Sequence, residues 1–300
     1  MMKLIPWIQF GLGLVLCPLL AGIVSRTKAF FAGRRGQPLL QVYRDIGKGL
    51  AKGAVYSRTT TWIFRAGPVV GLAAAVTALA IAPFGGRPAA VSFPGDPILF
   101  LGLFGLMRGL TILAALDTGS SFEGMGASRE AVFSALTEPV MMLGFLALAR
   151  ESGALSLSGL LNAASLERPE TALVAVALFI AFLCENSRIP FDDPNTHLEL
   201  TMIHEVMVLD HSGPDFSLIQ AGAAVKFWCL GSLIVNLFLP VRPEWTWAAN
   251  TAAGLAAMGL LAVSVGVVES VTARLRLVRV PQLLAAAAAL SALALIFSLG

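Results

Sequence analysis

The stretch LIPWIQFGLGLVLCPLLAGIV, residues 4–24, carries no charged side chain and is followed at once by Ser25-Arg26-Thr27-Lys28. A transmembrane helix needs about 20 consecutive apolar residues, and this run reaches that length before the first basic residue. It lacks a small-residue cleavage site, so it reads as a retained first helix and not as a secretory signal. Lipid offers the backbone no hydrogen bonds, so such a run crosses as a helix.

The same pattern recurs along the chain. Candidate spans lie at roughly 4–25, 67–84, 97–117, 131–149, 171–185, 217–240, 249–272 and 282–299. The fifth is short, and the fourth contains Glu138-Pro139. Only 13% of the 300 residues are charged and 57% are hydrophobic, where a soluble domain has about 25% charged residues. The mean hydropathy is +0.80. These values predict an all-α polytopic membrane bundle of about eight transmembrane helices, one membrane domain covering residues 1–300, without a soluble domain or internal repeat.

Basic residues orient the chain. With eight spans and the N-terminus outside, the inner loops (26–66, 118–130, 186–216 and 273–281) hold 14 Lys and Arg, against 5 in the outer segments. That bias follows the positive-inside rule and places both termini on the outer side. Nine of the 21 Lys and Arg fall between Arg26 and Arg65. In a chain this apolar, such a stretch reads as a cytoplasmic loop and not as a nucleic-acid site. Cys17, Cys184 and Cys229 stand isolated in apolar runs, without the spacing of a metal or iron–sulfur site, and read as small buried hydrophobes.

Ionisable residues within spans are costly and therefore candidate functional groups. Asp117 closes the third span, Glu138 lies inside the fourth, Glu185 ends the fifth and Glu269 ends the seventh. Arg108 and Lys226 also fall within spans. For Arg108, Lys226 and Glu269, snorkelling or local pairing competes equally with a functional role. Glu138 sits seven residues into its span and is the strongest candidate. A carboxyl in a low-dielectric bundle exchanges protons closer to neutral pH, so several joined by water make a proton path.

The densest polar segment runs CENSRIPFDDPNTHLEL, residues 184–200, and continues to Ile203-His204-Glu205 and Asp210-His211. Pro190 and Pro194 break any helix there, and a short helix is predicted from about Thr196 to Leu209. All three histidines, His197, His204 and His211, lie in this region, seven apart. On a straight helix that spacing is about 10 Å along the axis, too far for two of them to share a metal. The segment reads either as a polar face toward a partner subunit or headgroup layer, or as a cavity lining in which Glu199, His204 and Glu205 carry protons. The first inner loop, GRRGQPLLQVYRDIGKG (33–49), combines a turn with a basic amphipathic helix suited to the membrane edge, whether as an anchor on anionic lipid or as a docking surface for a peripheral partner.

Three of these segments together resemble subunit 1 of respiratory complex I. The Arg34–Lys48 loop is similar to that family's basic Arg-Arg-Gly loop. Gly126-Ala127-Ser128-Arg129, followed by Glu138, resembles its Gly-Ala-x-Arg segment and next-helix glutamate. Glu185 with Arg188-Ile189-Pro190-Phe191-Asp192 resembles its Glu-x-Asn-Arg-x-Pro-Phe-Asp loop, with one residue inserted at Asn186-Ser187-Arg188. Asn195 and His197 stand where quinone-reducing members carry acids, and DDPNTHLELTMIHE (192–205) looks closer to the membrane subunit of energy-converting [NiFe]-hydrogenases of the formate hydrogenlyase and hydrogenase-4 type.

The resemblance implies a non-catalytic, membrane-anchoring subunit of an oxidoreductase complex, without a redox centre of its own, that couples a peripheral redox or hydrogenase arm to proton or sodium translocation in the bacterial cytoplasmic membrane, with both termini periplasmic. Its partners would be peripheral hydrogenase-like and Fe–S subunits carrying Fe–S clusters and Ni–Fe, together with antiporter-like membrane subunits. Glu138, Glu185, Asp117, Glu199, Glu123, Glu130, His204 and Glu205 would form the proton path. Arg34, Arg35, Gln41, Arg44, Arg129, Arg188 and Asp192 would serve docking. Two alternatives stand beside it: a quinone-site subunit of an NADH dehydrogenase-like complex, and a free-standing secondary transporter.

Overall fold

The structure, a computed structural model, describes residues 4–192, 202–239 and 245–299. Its membrane helices are α1 (Ile5–Phe31), α3 (Trp62–Ile81), α4 (Asp96–Asp117), α5 (Ser121–Ser152), α7 (Pro169–Glu185), α8 (Gly213–Phe238), α9 (Trp247–Val271) and α10 (Val280–Phe297). Two shorter helices, α2 (Gln41–Leu50) and α6 (Leu157–Ala163), lie between them. Seven of the long helices are apolar and long enough to cross a bilayer. With 17 residues, α7 spans about 25 Å, and completes the eight-helix bundle.

α8 is the hub. From Ala224 through Leu237 every side chain is buried, because α1, α2, α3, α7 and α9 all pack against it. α9 closes on α1, while α10, next in sequence, crosses to pack on α5 and α7. The segment joining them therefore runs across the basic end of the bundle. There Leu275 N donates to Pro190 O (2.9 Å) and Arg274 pairs with Asp192 (2.9 Å).

Three boundaries differ from the sequence reading. The predicted loop 118–130 is mostly helix: α5 starts at Ser121, leaving residues 118–120 as the turn. Its 32 residues also continue through Glu138-Pro139, as membrane helices tolerate proline where neighbours cover the freed backbone. The stretch 150–170, which by sequence reads as a surface loop with a short amphipathic piece, holds that piece as α6, and it is buried. α6 buries Leu157, Leu160 and Leu161 and is tied to the start of α4, where the Asp96 carboxylate accepts from Leu157 N at 2.6 Å. The helix predicted from Thr196 to Leu209 is reduced, within the described residues, to a 3₁₀ turn at Glu205–Val208; residues 193–201 lie outside them.

The amphipathic helix predicted near Leu39–Ile46 is α2. It does not merely rest on lipid. A side chain at Gly49 would overlap Ser217 of α8, so the two backbones approach as only glycine allows. Tyr43 Oη donates to Val15 O of α1 at 2.5 Å. α2 is thereby fixed as one wall of the site described next.

Candidate functional site

Two cations and three carboxyls converge inside the bundle. Arg108 of α4 donates from Nη1 to Glu185 Oε1 on α7 and from Nη2 to Glu138 Oε1 on α5. Lys226 Nζ of α8 lies 3.0 Å from Glu185 Oε2. Glu130, two turns before Glu138 on α5, is buried within electrostatic reach of Lys226, Glu185 and Arg108. An unpaired charge in a low-dielectric interior is expensive, so the cations force the carboxyls to gather around them. Arg108 and Lys226 thus pair across helices and do not snorkel. The cluster carries one more carboxyl than cation.

The cluster has two sides. On one, Glu185 and Lys226 line a cavity of about 270 Å³ together with Cys17, Val42, Met107, Arg188, His204, Gln220 and Phe227. On the other, the Glu138 side chain is 47% exposed on the outer surface of the bundle, near the middle of α5. Beside it, Gly102 and Gly109 of α4 have open space in front of them, and Gly105 faces Glu138.

His204 sits at the cavity with no hydrogen-bond partner on Nδ1 among the described residues. Burial, and then the charge of Lys226, push its pKa down to about 4, so it is neutral at physiological pH. It is held by α5 and by Asp192. The Asp192 carboxylate accepts from Ile203 N and His204 N, both at 3.1 Å, and Arg129 Nη1 donates to Met202 O at 2.9 Å. Gly126 of α5 leaves the room in which Val206 and Ile203 O sit.

The remaining predicted residues distribute as follows. Arg188 pairs with Glu269 (3.4 Å) and lies over the Phe227 ring, 5.4 Å from its centroid. Glu123 is buried and accepts from Asp210 N at 3.1 Å, next to His211, which stacks on Phe64 at 3.9 Å. Burial lowers the His211 pKa. Glu205 opens the 3₁₀ turn. Asp117 lies away from the cluster and accepts from Thr61 N (2.6 Å) and Thr61 Oγ1 (3.0 Å), fixing the start of α3. Arg34, Arg35 and Arg44 are exposed, and half-buried Gln41 donates to Asp45 at 2.8 Å. Glu199 and His197 lie outside the described residues. Among the described residues no group of His, Cys, Asp and Glu is placed to hold a metal ion.

Sequence alone leaves Arg108, Lys226 and Glu269 evenly divided between local and functional roles. One signal separates them: cations buried in spans require buried acids, and the spans offer Glu138 and Glu185 as well as Glu269. What periodicity does not show is that Arg108 serves two acids at once.

A family model described as NADH dehydrogenase matches residues 5–299. The chain belongs to the NADH dehydrogenase family. Among the relatives of this family member, formate hydrogenlyase subunit 4 of Escherichia coli (strain K12) is 30% identical over 293 residues, covering 94% of each chain. Hydrogenase-4 component C of the same organism is 34% identical over 239 residues, covering 76% of this chain and 72% of the relative. An NADH-quinone oxidoreductase subunit of Rubrobacter xylanophilus is 26% identical, covering 69% of this chain and 63% of the relative. The fold is shared with a chain of the membrane-bound sulfane sulfur reductase, an archaeal respiratory membrane complex, at a TM-score of 0.85, 20% identity and 98% coverage of both chains. The resemblance to the complex I subunit and to the hydrogenase branch is therefore confirmed, and the relatives are subunits of multi-subunit membrane complexes.

Proposed function

We propose that this protein is the membrane subunit through which a peripheral hydrogenase-type redox arm is coupled to proton translocation. The observation that carries the reading is the Arg108–Glu138–Glu185–Lys226 assembly, which joins a cavity at the basic end to a half-exposed carboxylate at mid-membrane depth. A carboxylate does not face lipid at that depth without a large penalty. The open glycine face of α4 beside Glu138 is the kind of surface on which another membrane helix packs closely. An antiporter-like membrane subunit is the partner that covers both.

The mechanism follows from the charge count. A proton entering from the cavity side is taken up by the cluster, which becomes neutral. Release of Arg108 from Glu138 leaves that carboxyl without a cation while Glu185 keeps Lys226, which favours the proton on Glu138. The proton leaves through Glu138 into the neighbouring subunit. His204, neutral and open at Nδ1, is placed to pass a proton between cavity water and Glu185. The redox arm docks at the basic end on the exposed face of α2, with Gln41, Arg44 and Lys48. Arg129, Arg188 and Asp192 brace that end from within. The redox chemistry and its Ni–Fe and Fe–S centres belong to the partner subunits.

Glu138→Gln in the intact complex tests this. The variant removes the excess carboxyl, so hydrogenase turnover measured with an artificial electron donor should continue while proton uptake into proteoliposomes is lost. Proton pumping at the wild-type ratio of protons per hydrogen would overturn the coupling role. The same cavity also fits the headgroup of a small quinone beside His204. Inhibition of turnover by a quinone analogue, competitive with added quinol, would transfer the assignment to a quinone-site subunit.

A further inference from the structure

The basic end carries a second open site, separate from the central cavity. α1 has 27 residues, about 40 Å of helix against a hydrocarbon core of about 30 Å. Its last turns therefore project to headgroup depth. Immediately after Phe31 the chain doubles back. Gly33 adopts φ +65, Gly33 N donates to Phe30 O (3.1 Å) and Arg34 N to Ala29 O (2.9 Å). Gly36 lies so close to Ala29 that a side chain there would collide with it. This turn folds Arg34 and Arg35 back beside the end of α1, opposite the end of α9.

Between them lies a groove of about 600 Å³, lined by Lys28, Arg34, Arg35, Gln37, Glu269 and Ser270, with Phe31 in its wall. Its one carboxylate is already committed, since Glu269 pairs with Lys28 (2.8 Å) and with Arg188 (3.4 Å). Among the described residues neither Arg34 nor Arg35 forms an ion pair, so the groove has an uncompensated positive charge. Its rim is apolar on the membrane side: Phe30 is 80% exposed, Phe31 52% and Val271 72%.

We propose that this groove binds one anionic phospholipid. The phosphate lies on the Arg34 and Arg35 guanidinium groups, which match its oxygens in paired fashion. Ser270 and Gln37 supply further polar contacts to the headgroup, and the acyl chains run along Phe31 and Val271. The combination of unpaired guanidinium groups and exposed apolar side chains at headgroup depth fits a molecule that is anionic at one end and apolar at the other. A soluble acidic protein segment would leave Phe30 and Val271 uncovered. The assignment is independent of the coupling role and sets Arg34 and Arg35 apart from the docking face on α2.

The test is native mass spectrometry of the detergent-purified complex after delipidation and titration with dioleoyl phosphatidylglycerol or dioleoyl phosphatidylcholine. One phosphatidylglycerol should be retained by this chain and phosphatidylcholine should not. Arg34→Gln with Arg35→Gln should weaken retention at least tenfold, while Lys52→Gln with Arg58→Gln, at the same end, should leave it intact. Equal retention of both lipids, or unchanged retention in the Arg34 and Arg35 variant, overturns the proposal. So does displacement of bound lipid by inorganic phosphate at tens of millimolar, which would assign a free-anion site. If the double variant does not assemble, a photoactivatable phosphatidylglycerol on the wild-type complex decides the matter. Cross-links at residues 30–37 and near Val271 support the site. Cross-links only elsewhere, or capture of this segment by a partner subunit in their place, refute it.

Discussion

One guanidinium, that of Arg108, bridges Glu138 and Glu185, carboxyls supplied by two different helices and separated by 47 residues of sequence. Because α4, α5 and α7 meet at this one side chain, its removal leaves the gathered carboxyls with the charge of Lys226 alone. Truncation of one partner in a buried ionic assembly costs about 3–5 kcal/mol. Arg108→Leu should therefore lower the thermal midpoint of the complex markedly. Arg108→Leu combined with Glu138→Gln should recover part of that loss, which differential scanning fluorimetry in detergent can measure. An additive double variant would show that the two residues are energetically independent.

Gly126 controls the segment that carries His204. A Cβ at this position would meet Val206, with Ile203 O at 2.8 Å and Met207 at 3.0 Å. Gly126→Val should force residues 202–208 away from α5, at the roughly 1–3 kcal/mol typical of overpacking. Hydrogen–deuterium exchange should rise in that segment and remain unchanged in α9 and α10. Proton coupling should fall with it, because His204 leaves the cavity.

The histidines make stability depend on pH in a defined direction. Burial lowers both pKa values, that of His204 to about 4. In the unfolded chain each imidazole binds a proton at about pH 6.5. Between these values the unfolded state binds protons that the folded state refuses, so stability is full above about pH 6.5 and falls as the pH drops toward 4. His204 alone contributes about 2 kcal/mol of loss between about pH 7 and pH 5. Thermal melts across that range should show His204→Gln losing less stability than the wild type as the pH falls. An identical pH profile in the two proteins would contradict the burial of the His204 ring.

Asp117 fixes the N-terminus of α3 through Thr61 N and Thr61 Oγ1. Asp117→Ala should cost about 1 kcal/mol, the usual loss for a helix-end hydrogen-bonding side chain. The loss should be seen as faster amide exchange in the first turn of α3 alone.

How much of this is legible in the sequence follows from the range of each interaction. Span positions are set by local composition, and the apolar runs place all eight long helices to within a few residues at most ends. The start of α5 escapes because Ser121 to Glu130 is polar and amphipathic. The residues that make it helical face the 202–208 segment, a contact invisible to a window of hydropathy. For α6 the sequence shows a short amphipathic piece but not its burial, which rests on Asp96, far away in sequence.

The membrane fold, the basic end and the inventory of costly charges are written in the order of residues, because bilayer thickness and desolvation act on each segment independently. Which of those charges meet is a matter of three-dimensional packing. Pairing of Arg108 with Glu138 and Glu185, exposure of Glu138 on the flank of the bundle, and the return of Arg34 and Arg35 against α1 all depend on how helices lie side by side. Packing in lipid is governed by close shape contact and buried hydrogen bonds between distant segments, and no local pattern of residues encodes their distances.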